Sequence, residues 1–169
     1  MDMYLSTYMY NCIWVFFPVF TIEFIRRERA ALIAYLRRKD RILKLKRNIM
    51  SEEKMLKNQA LIKLAYVAFN ARNIDAILEV MHPEVKWPMA WGGGYANGHD
   101  EVRDYWEKQW KELDPHVTPV GFRERENGTL EVEVAQLVKD LAGNILFDGK
   151  VFHVYVINDG LLQRMEIEQ

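Results

Sequence analysis

Past position 50 the hydrophobic residues follow two rhythms, one after the other. From Glu52 to Asn70 they recur at helical spacing, with Leu56, Ala60, Leu64 and Val67, then Ala68 and Ala71 one turn further. Asn73 is placed to cap a second, short helix running to Met81, with Ile74, Ile77 and Leu78 on one face and Pro83 as its stop. Glu84-Val85-Lys86-Trp87 reads as a short strand ended by Pro88, and Met89 to Asn97 as a loop rich in glycine and aromatics. A third helix starts near Asp100, with Val102, Tyr105, Trp106, Gln109, Trp110 and Leu113 as its buried stripe, and Asp114-Pro115 closes it.

Beyond Pro115 the period drops to two. Val117 to Glu126 is a strand, and Asn127-Gly128 is a hairpin turn. From Thr129 to Lys139, Val132, Val134, Gln136 and Val138 share one face, and Glu131, Glu133 and Lys139 the other. A turn at Asp140–Gly143 leads into a long strand up to Ile157, with a bulge expected at Asp148-Gly149. Asn158-Asp159-Gly160 turns into a last strand, Leu161 to Ile167. Three helices followed by these strands make an α+β roll, in which the helices pack on one face of a curved antiparallel sheet and leave a hollow between.

The first 49 residues have a different pattern. No charge occurs from Met3 to Ile22, a run just long enough to span a bilayer, and Arg26, Arg27 and Arg29 follow. One reading is a membrane anchor with the rest of the chain on the cytoplasmic side. The favoured reading treats residues 1–49 as upstream sequence absent from the cellular protein. Met50-Ser51-Glu52-Glu53 resembles a natural start, with an N-cap serine and an acidic first turn, and a complete domain fits in residues 50–169. Charge divides at the same place. The first 49 residues hold ten Lys and Arg against four Asp and Glu, and the remainder 13 against 20. With a net charge of −1 the whole chain gives no electrostatic case for nucleic acid. A single cysteine, Cys12, excludes an internal disulfide and fits a reducing compartment, and a cytoplasmic location is expected. The four histidines lie far apart without metal-ligand spacing, so no metal site is expected.

The order of pieces from Asn73 to Trp110, with Gly98-His99-Asp100-Glu101-Val102 between the first strand and the third helix, resembles the nuclear transport factor 2-like superfamily. Within it, the chain is most similar to the SnoaL-like group over about residues 53–167. The resemblance implies a cone-shaped pocket for a small, largely apolar molecule, a homodimer, and no cofactor. It specifies a fold more than a reaction, because this fold hosts isomerases, cyclases, hydrolases, dehydratases and binding modules. Ketosteroid isomerases of the superfamily use an Asp base, a Tyr and a protonated Asp. Those positions fall on Trp87, near Ala65 with Tyr66 turned about 100° away around the helix, and on His153. All three differ, which argues against that activity. Polyketide cyclases of the SnoaL group also rely on a pocket acid–base residue, and His153 is the candidate for it.

His153 would serve as base or as hydrogen-bond donor to a substrate oxygen, in a cofactor-free isomerase, cyclase or lyase, with Gln136 and Tyr155 orienting the substrate. The alternative is a structural histidine bonded to Gln136 or Tyr155, in a binding or dimerisation module. A three-residue Asn158–Gly160 loop would pair His153 with Met165 and is favoured; a two-residue loop would set it opposite Glu166. Gln136 is the one polar residue on a valine face, so it needs a partner or a ligand. Trp87 and Trp91, with Tyr95, are expected to line the pocket mouth across a bendable Gly92-Gly93-Gly94 loop. Trp106 and Trp110 read as core, with Trp106 also counted among the pocket walls beside Tyr155 and Met165. Phe152, Val154, Val156, Ala135 and Leu137 share the opposite sheet face, where the homodimer would pack.

Overall fold

The computed structural model describes residues 6–90 and 93–168, with side chains from residue 22 onward. The chain divides into two compact units, Met1–Ser51 and Glu52–Gln169. The first is helical and exposed at every described side chain, Leu32, Tyr35, Leu36 and Ile42 included. Among the described residues no helix is long and apolar enough to cross a membrane. All but the last residue of the uncharged run Met3–Ile22 lies outside the described side chains.

Helix α1 (Ser6–Asn70) gives its final turns to the second unit, followed by α2 (Ile74–Leu78) and β1 (Met81–Pro88). Then come β2 (Tyr95–Asn97), α3 (Gly98–Gln109), β3 (Leu113–Glu124), β4 (Leu130–Asp140), β5 (Ile145–Asn158) and β6 (Leu161–Glu168). The six strands form one sheet in the order β2-β1-β6-β5-β4-β3. An α+β roll is present, but the sheet is mixed rather than antiparallel: β1 runs parallel to β6. The meander β3 to β6 is joined by tight turns, which force antiparallel neighbours. A long connection separates β1 from β6, and nothing local in the sequence reveals its direction.

Of the stripe expected on α1 only Ala68 is buried, at 9%. Leu56, Ala60, Leu64, Val67 and Ala71 are exposed, and Val67 keeps 67% of its surface. The opposite face is buried: Ile62, Ala65 and Tyr66, with Met55 and Phe69 partly covered. Both stripes are apolar at helical spacing, but the inner one carries the aromatic rings that fill the roll. Asn70 secures the end of this helix to the sheet, its side chain donating to the Val117 carbonyl at 2.8 Å and accepting the Val117 N–H at 3.0 Å.

Other boundaries move as well. The second helix stops at Leu78, so Met81 and Pro83 belong to β1. Residues 95–97 form a strand rather than loop, paired with β1 through Trp87 and Ala96. The third helix ends at Gln109, and Leu113, Asp114 and Pro115 already lie in β3, paired with Asp140, Lys139 and Val138. Pro115 lacks an N–H to donate, which suits the edge position of β3. Gly149 pairs regularly with Gln136, and the irregularity in β5 falls instead at Leu146, opposite the Val138–Lys139 step.

On the outer sheet face Val154 is already 6% exposed and only Val156, at 38%, is open. Phe152, Ala135 and Leu137 are half-buried. The face expected to be openly apolar also carries charge. Arg123 and Arg125 both pair with Glu131 at 2.7 Å, Arg125 pairs with Glu168 at 2.5 Å, and Lys150 with Glu133 at 2.7 Å. These guanidinium groups hold the Glu131 and Glu168 carboxyls below the usual range.

Candidate functional site

His153 reaches the concave side of the sheet because of two compensating irregularities. Asp159 and Gly160 both adopt positive φ, at 49° and 76°, and form a two-residue turn that pairs Asn158 with Leu161. A bulge then adds Gln163 between Leu162 and Arg164. The turn moves the register one way and the bulge moves it one residue further. His153 therefore faces Ile167, neither Met165 nor Glu166. Because the net shift from the three-residue-loop register is two, the inward face of Val151, His153, Tyr155, Met165 and Ile167 is preserved.

Within that face His153 is 5% exposed and Tyr155 fully buried. The group that joins them is Tyr66 of α1, which the family alignment turns away from the tyrosine position and the structure turns inward. Its hydroxyl lies 2.9 Å from His153 Nδ1 and accepts the Tyr155 hydroxyl at 3.0 Å. Two signals mark Tyr66 in the sequence: the inner stripe of α1, where it stands four residues after Ile62 and three before Phe69, and the family's tyrosine position one residue away. His153 Nδ1 thus meets neither Gln136 nor Tyr155, and among the described residues its buried Nε2 has no hydrogen-bond partner.

These three groups border a cavity of about 30 Å³, lined also by Ala65, Phe69, Ile77, Trp87, Trp106 and Val117. Its aromatic wall is built edge to face. Trp87 meets Trp106 at 5.3 Å and 77°, and Phe69 meets Trp106 at 5.7 Å and 70°. Trp87 is therefore an inner wall, 9% exposed, rather than a mouth residue. Among the described residues no carboxylate lines this cavity.

A second, larger hollow of about 490 Å³ opens beside it. Its walls are Pro88, Met89, Ala90, Gly94, Tyr95, Gln136, Val138, Leu146, Phe147, Val151, Glu166 and Ile167. This is within the usual size of a small-molecule site, mostly apolar with a few polar groups. Gln136 belongs here, so the expected trio of His153, Gln136 and Tyr155 does not converge on one cavity. Tyr95 also belongs here, donating its hydroxyl to Glu166 at 2.5 Å. Met165 is core rather than wall, 2% exposed opposite Tyr155. Trp91 and Gly92 lie outside the described residues. Ile167 and Val151 line the larger hollow, while His153, directly across from Ile167, lines the smaller.

Burial alone lowers the pKa of His153 from 6.5 to about 4, and it pushes both tyrosine hydroxyls up. The imidazole is therefore neutral at physiological pH. An unfolded chain takes up this proton near pH 6.5 and the folded protein only near 4, so acid favours unfolding between the two. From pH 7 to pH 5 the protein is expected to lose about 2 kcal/mol of stability that His153→Gln does not lose. Urea unfolding of both at each pH measures this, and equal losses would contradict a buried neutral imidazole. The lowered carboxyls of Glu131, Glu168 and Asp140 lose their contribution only in more acidic solution, outside this window. Among the described residues no group of three His, Cys, Asp or Glu could hold a metal ion.

A six-stranded mixed sheet closed by helices over an aromatic cavity can be compared with known folds directly. The family model for the SnoaL-like domain matches residues 62–165. The chain belongs to the SnoaL-like family. Solved structures agree with the fold of this SnoaL-like protein. A nuclear transport factor 2-like protein of unknown function from Burkholderia pseudomallei K96243 is 24% identical. It superposes with a TM-score of 0.59 over 66% of this chain and 89% of its own. TerC, co-crystallised with polyporic acid, is 28% identical with a TM-score of 0.58, over 66% of this chain and 89% of its own. A candidate polyketide cyclase from Xanthomonas campestris pv. campestris is 15% identical with a TM-score of 0.58, over 67% and 90%. No curated protein matches the chain.

Proposed function

We propose that this SnoaL-like protein binds a small, largely apolar molecule and acts on it as a cofactor-free isomerase, cyclase or lyase with His153 at the reacting end. One observation carries the reading. A 5% exposed histidine that lines an aromatic cavity keeps one ring nitrogen without a partner among the described residues. Leaving a buried polar atom unpaired costs about 1–3 kcal/mol, and a ligand that pairs it recovers that cost. The neighbouring 490 Å³ hollow supplies room for the body of such a molecule. The similarity to TerC, co-crystallised with polyporic acid, and to the candidate polyketide cyclase supports an oxygenated ring compound as ligand.

A non-catalytic binding module is the second reading, favoured by the lack of any carboxylate around the small cavity. Trp87 and Trp106 report on both readings, since their fluorescence responds to a bound ring. Titration with aromatic polyketides and mass analysis of each after incubation separates them. Conversion by the full-length protein, lost in His153→Gln while binding persists, is the expected result. Binding without conversion of any compound would leave the module, and binding of none would sink both. A homodimer through the outer sheet face is the companion proposal. It rests on open Val156 and half-buried Phe152, and Val156→Glu is expected to convert it to monomer in a light-scattering measurement.

A further inference from the structure

Three polar side chains line the larger hollow, Tyr95, Gln136 and Glu166. Two of them are committed to each other: the Tyr95 hydroxyl donates to one Glu166 oxygen, and the Arg164 guanidinium holds the other. Gln136 has no hydrogen-bond partner among the described residues. Its neighbours explain why. Val117 and Gly149 stand across from it on β3 and β5, and Val134 and Val138 flank it on its own face of β4. None offers a hydrogen-bonding side chain, so both ends of the amide are left to whatever fills the hollow. Gly149 also shapes the wall beside this amide. The far edge of the Phe147 ring stands over it, and a Cβ at Gly149 would lie 3.1 Å from Phe147 Cζ, closer than ordinary van der Waals contact. The missing side chain thus lets the Phe147 ring lean along β5 instead of standing up in the hollow.

We infer that Phe147 and Gln136 form a seat for a flat, uncharged ring whose edge carries a hydroxyl, and that Gly149 keeps this seat open. This rests on the small-molecule reading above and makes it more specific. A ring hydroxyl donates and accepts at one oxygen, so it answers both the carbonyl and the NH₂ of a single amide. A ligand anion would find no Lys, Arg or His among the lining residues and would meet the Glu166 carboxylate instead. Val138, Leu146, Phe147 and Val151 supply the apolar wall against which the ring packs. Four residues of β5 separate Gly149 from His153, about 13 Å of strand, so a hydroxyl seated here is remote from the imidazole. Gln136 therefore selects the ligand and sets its orientation, away from the reacting end.

Calorimetric titration of the full-length protein with 2-naphthol and with 2-methoxynaphthalene, both uncharged at neutral pH, isolates the hydroxyl proton. Naphthol is expected to bind about tenfold more tightly. Equal affinities, or a tighter ether, would overturn the hydroxyl class and leave the pocket reading standing. Binding of neither compound would overturn the pocket reading together with it. In Gln136→Leu the preference is expected to vanish through loss of naphthol affinity, and a preference that persists would overturn the assignment to Gln136. Gly149→Ala tests the seat itself. Gly149 is not among the glycines of positive φ, so alanine adds only the methyl that lifts the Phe147 ring into the hollow. Both compounds are expected to bind about tenfold more weakly with the circular dichroism spectrum unchanged, and unaltered binding would overturn the role of Gly149. Phe147→Leu, read in the same titration, covers a Gly149→Ala protein that does not fold. It is expected to weaken both compounds alike, and unaltered affinity would remove Phe147 from the seat.

Discussion

Tyr66→Phe is expected to destabilise the protein by about 2–5 kcal/mol, several times the cost of Tyr155→Phe. The two substitutions each delete one hydroxyl from the same buried chain, but from different places in it. Tyr66 is the middle link: it accepts from Tyr155 at 3.0 Å and sits 2.9 Å from His153 Nδ1. Removing its oxygen leaves the Tyr155 O–H without an acceptor and Nδ1 without a donor, in a region where neither reaches water. Removing the Tyr155 oxygen takes away a terminal donor and leaves Tyr66 free to keep its bond to His153, at a cost of about 1 kcal/mol. Urea unfolding followed by circular dichroism measures both. Equal losses would mean that the three groups do not act as a chain.

The second large effect is expected at Trp106. Its ring is 1% exposed and contacts Phe69 and Trp87 edge-on and Trp110 in a stacked pair at 5.9 Å. Trp106→Ala removes the common member of these contacts and is expected to cost about 3–5 kcal/mol. Because Trp106 also walls the small cavity, the deletion should open space beside His153. Added indole is then expected to raise the unfolding midpoint of the variant more than that of the unaltered protein. A loss below about 1 kcal/mol would place this ring outside the core, contrary to its burial.

How far these residues could be read in advance depends on what fixes each one. The strand with Val132, Val134 and Val138 inward was legible because side chains alternate with period two, and Asn127-Gly128 marked its turn. The inward facing of His153 and Tyr155 was legible too, although their partners were not. The Gln163 bulge has no local signature, and it alone turns a pairing with Glu166 into one with Ile167. On α1, two apolar stripes compete on opposite faces, and packing rather than spacing selects Ile62, Tyr66 and Phe69. That choice hid Tyr66, the residue that joins the site together. Gln136 was correctly placed on the concave face, but distance along the strand puts it in the larger hollow. Trp87 turned inward rather than toward the mouth because the 95–97 strand, unseen in the sequence, pairs with its own.

The parallel pairing of the first strand with the last has a consequence for biosynthesis. Trp87 lies on β1, and β1 joins the main sheet only through β6, with Met81 beside Leu162 about 80 residues later. The hairpins β3–β4 and β4–β5 can form as they leave the ribosome, since each needs only neighbouring chain. The wall that carries Trp87 cannot be seated until the final strand has been made. During translation the aromatic residues around His153 therefore wait uncovered. Closing the pocket thus depends on contacts between segments about 80 residues apart.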